Sequence, residues 1–125
     1  MLGSSDLVAL VGVADLAQAR AFYCGVLGLA AVAEDSHAVT VDAHGTLLRL
    51  TGVGTPAPAP YSFLAWRVVD IGSIVDELAG RGVVFARYDT VEQDGRGVWT
   101  APDGSKVAWF LDPDGNNLSL VQFAV

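Results

Sequence analysis

The chain has 125 residues, of which 52% are hydrophobic and 17% are charged, and its formal net charge is −7. This composition excludes a disordered chain, and the length fits one domain with its own hydrophobic core. The negative charge argues against nucleic acid and acidic membranes as partners, since binding either requires a basic surface.

No apolar run approaches the about 20 residues that a membrane-spanning helix needs. The first residues, MLGSSDLV, lack the charged and apolar regions of a signal peptide. Cys24 is the single cysteine, so an internal disulfide is excluded. We therefore expect a cytoplasmic protein with no membrane partner.

The first half of the chain predicts a strand, a helix and three further strands. Residues 7–13 form the first strand, and Asp15 is the expected N-cap of the helix, with Gln18 completing a capping box. Gly25 and Gly28 are expected to end this helix. Strands follow at residues 30–33, 37–41 and 46–51, with a turn at 42–45.

The second half repeats this pattern after a linker rich in proline and glycine at residues 52–60. Residues 61–69 predict a strand, and Asp70 is the expected N-cap of a helix that runs to about residue 80. A strand is expected at 83–87, followed by an acidic loop at 88–95. Residues 97–100 and a turn at 101–104 then lead into a hairpin.

The hairpin consists of strands 106–111 and 116–123 around the turn Asp112-Pro113-Asp114-Gly115. Proline pre-sets the first central position of such a turn, and glycine accepts a conformation that is costly for other residues. In the second strand Leu118 and Leu120 share one face, and Asn117, Ser119 and Val121 share the other. This mixed face is either a solvated side or a binding surface.

The two halves are copies of one unit. Residues 8–16, VALVGVADL, match residues 63–71, FLAWRVVDI, and this offset of 55 places Asp15 on Asp70. Residues 45–50 match 115–120 at an offset of 70. An internal repeat of this kind predicts two similar structural units.

With this repeat, the motifs VADLAQARAFYCGVLGL at residues 13–29 and WFLDPDGNNLSL at 109–120 resemble the vicinal oxygen chelate superfamily. That group contains glyoxalase I, bleomycin-resistance proteins and extradiol dioxygenases. The resemblance implies an α+β fold in which two βαβββ modules form a curled mixed sheet around a shared cavity. The single domain, residues 1–125, would comprise module 1 at about 6–53, a linker at 54–60 and module 2 at about 61–123.

In metal-dependent members of this superfamily, four strand positions supply the ligands. The resemblance carries them onto Val8, Arg49, Phe63 and Ser119. Valine and phenylalanine have no donor atom, arginine is a cation, and a serine hydroxyl is a weak ligand beside carboxylate or imidazole. We therefore expect neither a metal nor another cofactor.

The histidines and the cysteine do not predict a catalytic site. His37 and His44 match none of the ligand positions, and we interpret them as surface residues. Cys24 has no histidine at a spacing that suggests a thiol–imidazole pair, so it is expected to be inert. Several aromatic residues fit either the core or the lining of a ligand cavity: Trp66, Phe85, Tyr88, Trp99, Trp109 and Phe110.

Arg49 and Arg67 are the more informative charged residues. By strand alternation both share a face with the former ligand positions, and a guanidinium group enclosed there must find a partner. One alternative is an internal salt bridge, for which Asp42 and Glu34 are the candidates. The other is recognition of an anionic or carbonyl-bearing ligand.

The function expected from these residues and the resemblance is metal-independent binding of a small organic molecule, as in bleomycin-resistance proteins. The candidate ligand-binding residues are Arg49, Arg67, Phe63, Ser119, Val8 and Asn117. The alternative is a glyoxalase-like lyase, isomerase or dioxygenase-type enzyme for a small carbonyl or carboxylate substrate. The resemblance also implies a homodimer.

Overall fold

The structure is a computed structural model that describes residues 1–124. The chain divides into two compact units, a first unit at Met1–Ala57 and a second unit that begins at Pro58. Each unit contains one four-stranded sheet. None of the helices in residues 1–124 is long and apolar enough to cross a membrane.

The first unit has the element order strand, helix, three strands. After a short 3-10 helix at Leu2–Ser4, its elements are β1 Val8–Val13, α1 Leu16–Arg20, β2 Ala30–Glu34, β3 Ala38–Ala43 and β4 Thr46–Gly52. The helix continues from α1 as a π-helical segment, Ala21–Val26. The strand order in the sheet is β1-β4-β3-β2, with β1 parallel to β4 and the other pairs antiparallel.

Local signals explain how this unit folds. The Asp15 carboxylate accepts a hydrogen bond from the Gln18 backbone N–H at 3.1 Å, which confirms the predicted N-cap. One face of the sheet and one face of the helix are buried together. The buried residues of this core include Val11, Val13, Ala19, Tyr23, Val39, Val41, Leu48 and Leu50.

The second unit repeats the topology. Its elements are β5 Leu64–Arg67, α2 Ile71–Gly80, β6 Trp99–Thr100, β7 Lys106–Leu111 and β8 Asn117–Gln122. The sheet order β5-β8-β7-β6 is the order of the first unit. The predicted cap is confirmed, since the Asp70 carboxylate accepts from the Ser73 N–H at 3.4 Å. Core residues of this unit include Ile71, Val75, Leu78, Ala108, Phe110, Leu118 and Leu120.

The strand predicted at residues 83–87 is wrong. Only Phe85 forms an isolated bridge, to Phe110, and the Ala86 N–H donates to the Trp109 carbonyl at 2.7 Å. The chain then leaves the edge of β7 and returns to it at β6. The Gln93 side chain explains the departure, because it bonds the Ala86 carbonyl and the Tyr88 N–H in place of a strand neighbour.

Strand β5 is also shorter than the predicted 61–69, because β8 pairs only with Leu64–Arg67. The hairpin turn is confirmed: the Gly115 N–H donates to the Asp112 carbonyl at 3.0 Å, and Gly115 has φ +85°. Asp112 itself is 5% exposed, and its carboxylate accepts from the backbone N–H groups of Asp114 and Asn116.

The strand register confirms the internal repeat. Leu10 lies opposite Arg49 in the first sheet, and Ala65 lies opposite Ser119 in the second. The offsets of 55 and 70 residues relate these two pairs. The predicted α+β fold of two βαβββ modules is therefore confirmed.

Candidate functional site

The first sheet has an open face on the side opposite its buried core. We call it the Arg49 face and define it by Val8, Leu10, Thr40, Leu47 and Arg49. Val8 pairs with Leu47, while Arg49 lies between Leu10 and Thr40. Val8 and Leu10 are 45% and 68% exposed. The face therefore combines aliphatic side chains with Thr40 and one guanidinium group, and Asp42 lies opposite Leu47 on the same side.

The salt bridge considered for Arg49 is not present within residues 1–124. Glu34 pairs with Arg20 instead, and the Asp42 carboxylate accepts from the Gly45 N–H at 3.0 Å. The two carboxylates that could have neutralised Arg49 are therefore used elsewhere, and its guanidinium group remains exposed.

Arg49 does act electrostatically on Asp35. The backbone N–H groups of His37 and Ala38 donate to the Asp35 carboxylate at 2.7 and 2.9 Å and lower its pKa below the ordinary value. The positive charge of Arg49 lowers the same pKa by a smaller amount. His37 and His44 are both exposed, as predicted.

The second sheet has a different face on the side opposite α2. We call it the Trp109 face and define it by Phe63, Arg67, Trp109, Asn117 and Ser119. Ser119 lies between Ala65 and Trp109 in the sheet, and the Phe63 N–H donates to the Asn117 carbonyl at 3.3 Å. Strand alternation places these side chains together, because Leu118 and Leu120 point into the core.

The Trp109 ring contacts the aromatic rings of Trp99 and Tyr88. Trp99 stacks on it with ring centroids 6.1 Å apart and an interplanar angle of 25°. Tyr88 meets it edge-on, with centroids 5.4 Å apart. The Phe63 side chain is 42% exposed. By contrast, Phe110 is completely buried on the core side, where it contacts Phe85.

Two polar residues of the Trp109 face are buried among these side chains. Ser119 is 4% exposed, and its Oγ accepts a hydrogen bond from the Ser62 Oγ at 2.8 Å. Asn117 is 7% exposed, and its Nδ2 donates to the Tyr88 hydroxyl at 2.9 Å. The Asn117 Oδ1 has no hydrogen-bond partner within residues 1–124. Tyr88 is among the aromatic residues that fit a cavity lining, but its bond to Asn117, 29 residues away, was not predicted. The contribution of Ser62, 57 residues from Ser119, was missed altogether.

Arg67 lies at the end of the Trp109 face. Its guanidinium carbon is 5.2 Å from the centroid of the Phe123 ring, a cation–π distance. No salt bridge to Arg67 occurs in the part of the chain that the structure describes. The side chain is exposed, so its charge faces solvent.

The predicted site residues therefore fall into two groups. Phe63, Arg67, Asn117 and Ser119 lie together on the Trp109 face, and Val8 and Arg49 lie together on the Arg49 face.

The residues at the four metal-ligand positions of the superfamily that the sequence resembles are not suited to bind a divalent ion. These residues are Val8, Arg49, Phe63 and Ser119. Two of these side chains have no donor atom, one is a cation, and the Ser119 hydroxyl is bonded to Ser62. Residues 1–124 also contain no group of three His, Cys, Asp or Glu side chains that could hold a metal.

A separate cleft of about 450 Å³ lies at the start of α2 in the second unit. It is lined by Asp70, Asp94, Arg96 and Lys106, among others. Arg96 is bound there by Asp76 through two hydrogen bonds, of 2.8 and 3.0 Å. The lining of the cleft therefore carries charges of both signs.

Several solved structures resemble the chain. A superfamily member from Sphaerobacter thermophilus is 26% identical with a TM-score of 0.76, and the match covers 98% of this chain and 100% of that one. A glyoxalase/bleomycin resistance protein from Catenulispora acidiphila is 23% identical, with a TM-score of 0.72 and coverage of 97% and 100%. Lactoylglutathione lyase from Agrobacterium tumefaciens is 20% identical, with a TM-score of 0.71 and coverage of 95% and 93%.

A comparison with curated proteins gave no significant match. The family model described as Glyoxalase/Bleomycin resistance protein/Dioxygenase superfamily matches residues 6–120, which is most of the chain. The topology of both units and the resemblance of the two sequence motifs agree with this match. The chain therefore belongs to the glyoxalase/bleomycin resistance protein/dioxygenase superfamily.

Proposed function

We propose that this protein binds a small organic molecule on the Trp109 face, without a metal ion and without transforming the molecule. The observation that carries the proposal is the composition of that face. Aromatic side chains provide apolar contact area, and two buried polar residues provide hydrogen-bonding groups beside them. Small-molecule sites combine these two features, because the rings supply affinity and the few polar groups fix orientation.

The residues at the four metal-ligand positions of the superfamily support binding without a metal ion. Val8, Arg49, Phe63 and Ser119 offer a single weak donor atom, and Arg49 adds a positive charge that repels a cation. Superfamily chemistry through a metal at these four positions would therefore need ligands that this chain does not supply.

The two arginines support an anionic or carbonyl-rich ligand. Arg67 belongs to the Trp109 face and Arg49 to the Arg49 face, and neither has an ion-pair partner within residues 1–124. Guanidinium groups bind carboxylates with two parallel, charge-assisted hydrogen bonds. We propose that Arg67 contributes to ligand recognition on the Trp109 face, with Phe63, Asn117 and Ser119. On the Arg49 face, taken by itself, we propose Arg49 and Val8 as ligand-contacting residues.

A thermal-shift screen over bacterial metabolites and antibiotics, with and without EDTA, tests the proposal. A ligand at 100 times its Kd stabilises the folded protein by about 2.7 kcal/mol, and we expect EDTA to leave this shift unchanged. A parallel assay for glyoxalase-type turnover should show none. Metal-dependent turnover, or a ligand-induced shift that disappears with EDTA, would replace the proposal by the enzyme alternative.

Substitution of Arg67 tests the charge recognition directly. Arg67→Ala should weaken binding of an anionic screening hit, since one charge-assisted contact is lost. Lys106→Ala is the matched control, because Lys106 is an exposed cation on β7 of the same sheet and lies outside the Trp109 face. Equal affinities in titration calorimetry for Arg67→Ala and Lys106→Ala would remove Arg67 from the site.

We also propose that the protein is a homodimer located in the cytoplasm. The single cysteine is consistent with the cytoplasm, a reducing compartment.

The exposed aliphatic residues Val8, Leu10 and Leu47 support a protein interface, since such patches are uncommon on monomers. Light scattering coupled to gel filtration should give twice the mass of one chain, and the mass of a single chain at tens of micromolar protein would disprove the dimer.

A further inference from the structure

The side-chain amide of Asn117 has an unmet hydrogen-bonding capacity inside the second unit. The residue is 7% exposed, and its Nδ2 is committed to the Tyr88 hydroxyl at 2.9 Å. Its Oδ1 has no partner within residues 1–124 and is itself shielded from solvent. A buried acceptor without a donor destabilises a folded protein by about 1–3 kcal/mol, so its retention calls for an explanation.

Packing and strand pairing in the second sheet do not require the Asn117 amide. Asn117 points away from the core, which in this strand is filled by Leu118 and Leu120. A leucine at position 117 would keep the strand pairing with Leu111, since that pairing uses backbone groups alone. The amide is therefore dispensable for the sheet.

The Tyr88 hydroxyl accepts a hydrogen bond from Asn117 Nδ2 at 2.9 Å. In this arrangement Oδ1 is the buried atom of the amide that lacks a partner within residues 1–124. Tyr88 is held in turn by Gln93, whose Oε1 accepts from the Tyr88 N–H at 2.8 Å and whose Nε2 donates to the carbonyls of Ala86 and Gly97. The irregular loop of the second unit thus positions the Tyr88 hydroxyl beside the Asn117 amide.

We propose that Asn117 Oδ1 accepts a hydrogen bond from the ligand, and that the ligand is a planar aromatic compound with an N–H or O–H donor at its edge. This inference rests on the proposed binding function of the Trp109 face and specifies the ligand class. The planar ring matches the aromatic cluster of Trp109, Trp99 and Tyr88. The donor matches Asn117 Oδ1, the buried side-chain atom that lacks a partner within residues 1–124.

Benzamide and N,N-dimethylbenzamide form a matched pair of probes. Both have the ring and the carbonyl oxygen, but only benzamide has amide N–H donors. In an NMR titration of the wild-type protein, we expect benzamide to shift the Asn117 side-chain and Trp109 indole signals. We expect the dimethyl compound to bind at least about tenfold more weakly, the effect of one hydrogen bond.

Substitutions then test whether the Asn117 side-chain amide causes the preference for benzamide over N,N-dimethylbenzamide. Asn117→Leu should abolish the preference for benzamide and change the melting temperature little, because removal of the unsatisfied acceptor is offset by loss of the hydrogen bond to Tyr88. Gln18→Leu is the matched control, an amide-to-leucine change at an exposed position of α1, and should retain the preference. Tyr88→Phe should reduce the preference for benzamide, because the Asn117 amide loses its bond to the Tyr88 hydroxyl and is free to rotate. This result would identify Tyr88 as a positioning residue.

Equal affinities of the two probes for the wild-type protein would overturn the inference while leaving aromatic binding at the Trp109 face intact. Failure of benzamide to bind, in a protein that responds to another hit of the thermal-shift screen, would overturn it as well. A preference for benzamide that persists in Asn117→Leu would assign the donor contact to a different residue and refute the role of Asn117. The wild-type comparison decides the question even if a variant fails to fold.

Discussion

The two units share a scaffold but present different faces. Both have the same strand order, an aspartate cap on the helix, and a glycine with positive φ before the last strand, Gly45 and Gly115. Each face carries one arginine, but the apolar side chains of the Arg49 face are aliphatic, whereas those of the Trp109 face are mainly aromatic and stand beside two buried polar residues. The repeat therefore specifies the backbone, while the residues that differ between the copies determine binding chemistry.

The units also differ at one edge of the sheet. Strand β2 is continuous over Ala30–Glu34 in the first unit, whereas its counterpart in the second consists of a bridge at Phe85 and the two-residue β6. The chain between these two pieces forms the loop that carries Tyr88 to Asn117. Breaking an edge strand thus supplies a side chain to a sheet face that regular pairing could not reach.

The largest expected effect tests whether the two cores are equivalent. Leu48 and Leu118 occupy matching positions and are 1% and 0% exposed. Leu48→Ala and Leu118→Ala should each lower the free energy of unfolding by about 3–4 kcal/mol, because each removes buried methyl groups and leaves a cavity. Urea denaturation measures both values.

Leu47→Ala provides the control for this comparison, because Leu47 is the neighbour of Leu48 but is 39% exposed. Its effect on the free energy of unfolding should stay below about 1 kcal/mol. If the Leu48 and Leu118 variants differed by more than about 2 kcal/mol, the two cores would not be energetically equivalent despite their common topology.

An intermediate effect is expected at the hairpin turns, where the units differ in burial. The Asp112 carboxylate is buried and accepts from the N–H groups of Asp114 and Asn116, and from the Asn116 side chain at 2.8 Å. The Asp42 carboxylate is half-buried and accepts from Gly45. Asp112→Ala should therefore cost about 2–3 kcal/mol of stability and Asp42→Ala about 1 kcal/mol.

Chemical denaturation of both variants measures this difference. Asp112→Asn is a useful additional variant, since its side-chain amide oxygen can still accept hydrogen bonds. We expect it to be less destabilised than Asp112→Ala. Equal destabilisation by Asp42→Ala and Asp112→Ala would show that turn geometry, and not burial of the carboxylate, determines the contribution.

The scaffold is predictable from sequence because its signals are local. An aspartate three residues before its N–H partner caps each helix, and alternation along β4 and β8 assigns core and open faces. The Pro-Asp-Gly sequence specifies the hairpin turn by backbone preference alone. These interactions act within a few residues, so a single sequence contains the information.

The edge strand and the polar contacts of the Trp109 face are not predictable in this way. Residues 83–87 have a strand-like composition, but the Gln93 side chain competes for their backbone groups from further along the chain. The bond from Asn117 to Tyr88 joins residues 29 apart, and that from Ser62 to Ser119 joins residues 57 apart. Such contacts depend on how the folded loop is placed, which residue periodicity does not encode.

The smallest expected effect compares two carboxylates whose pKa is lowered for different reasons. The hydrogen bonds from Arg96 hold the Asp76 pKa below its ordinary value of 3.8, whereas backbone N–H groups do the same for Asp35. Arg96→Gln should therefore raise the Asp76 pKa and leave that of Asp35 unchanged. NMR titration of the side-chain carboxyl carbons measures both.

The stability effect follows from the sign of the shift. A lowered pKa in the folded state means that Asp76 contributes stability above pH 3.8, and that this contribution is lost as the pH falls through the folded-state pKa. Wild type and Arg96→Gln should thus differ slightly at neutral pH and converge in acid. Both carboxylates are solvent-exposed, so added salt should screen the Arg96 charge and raise the Asp76 pKa, while Asp35, bound mainly by backbone donors, should respond less. An equal salt response of the two pKa values would contradict the assigned causes.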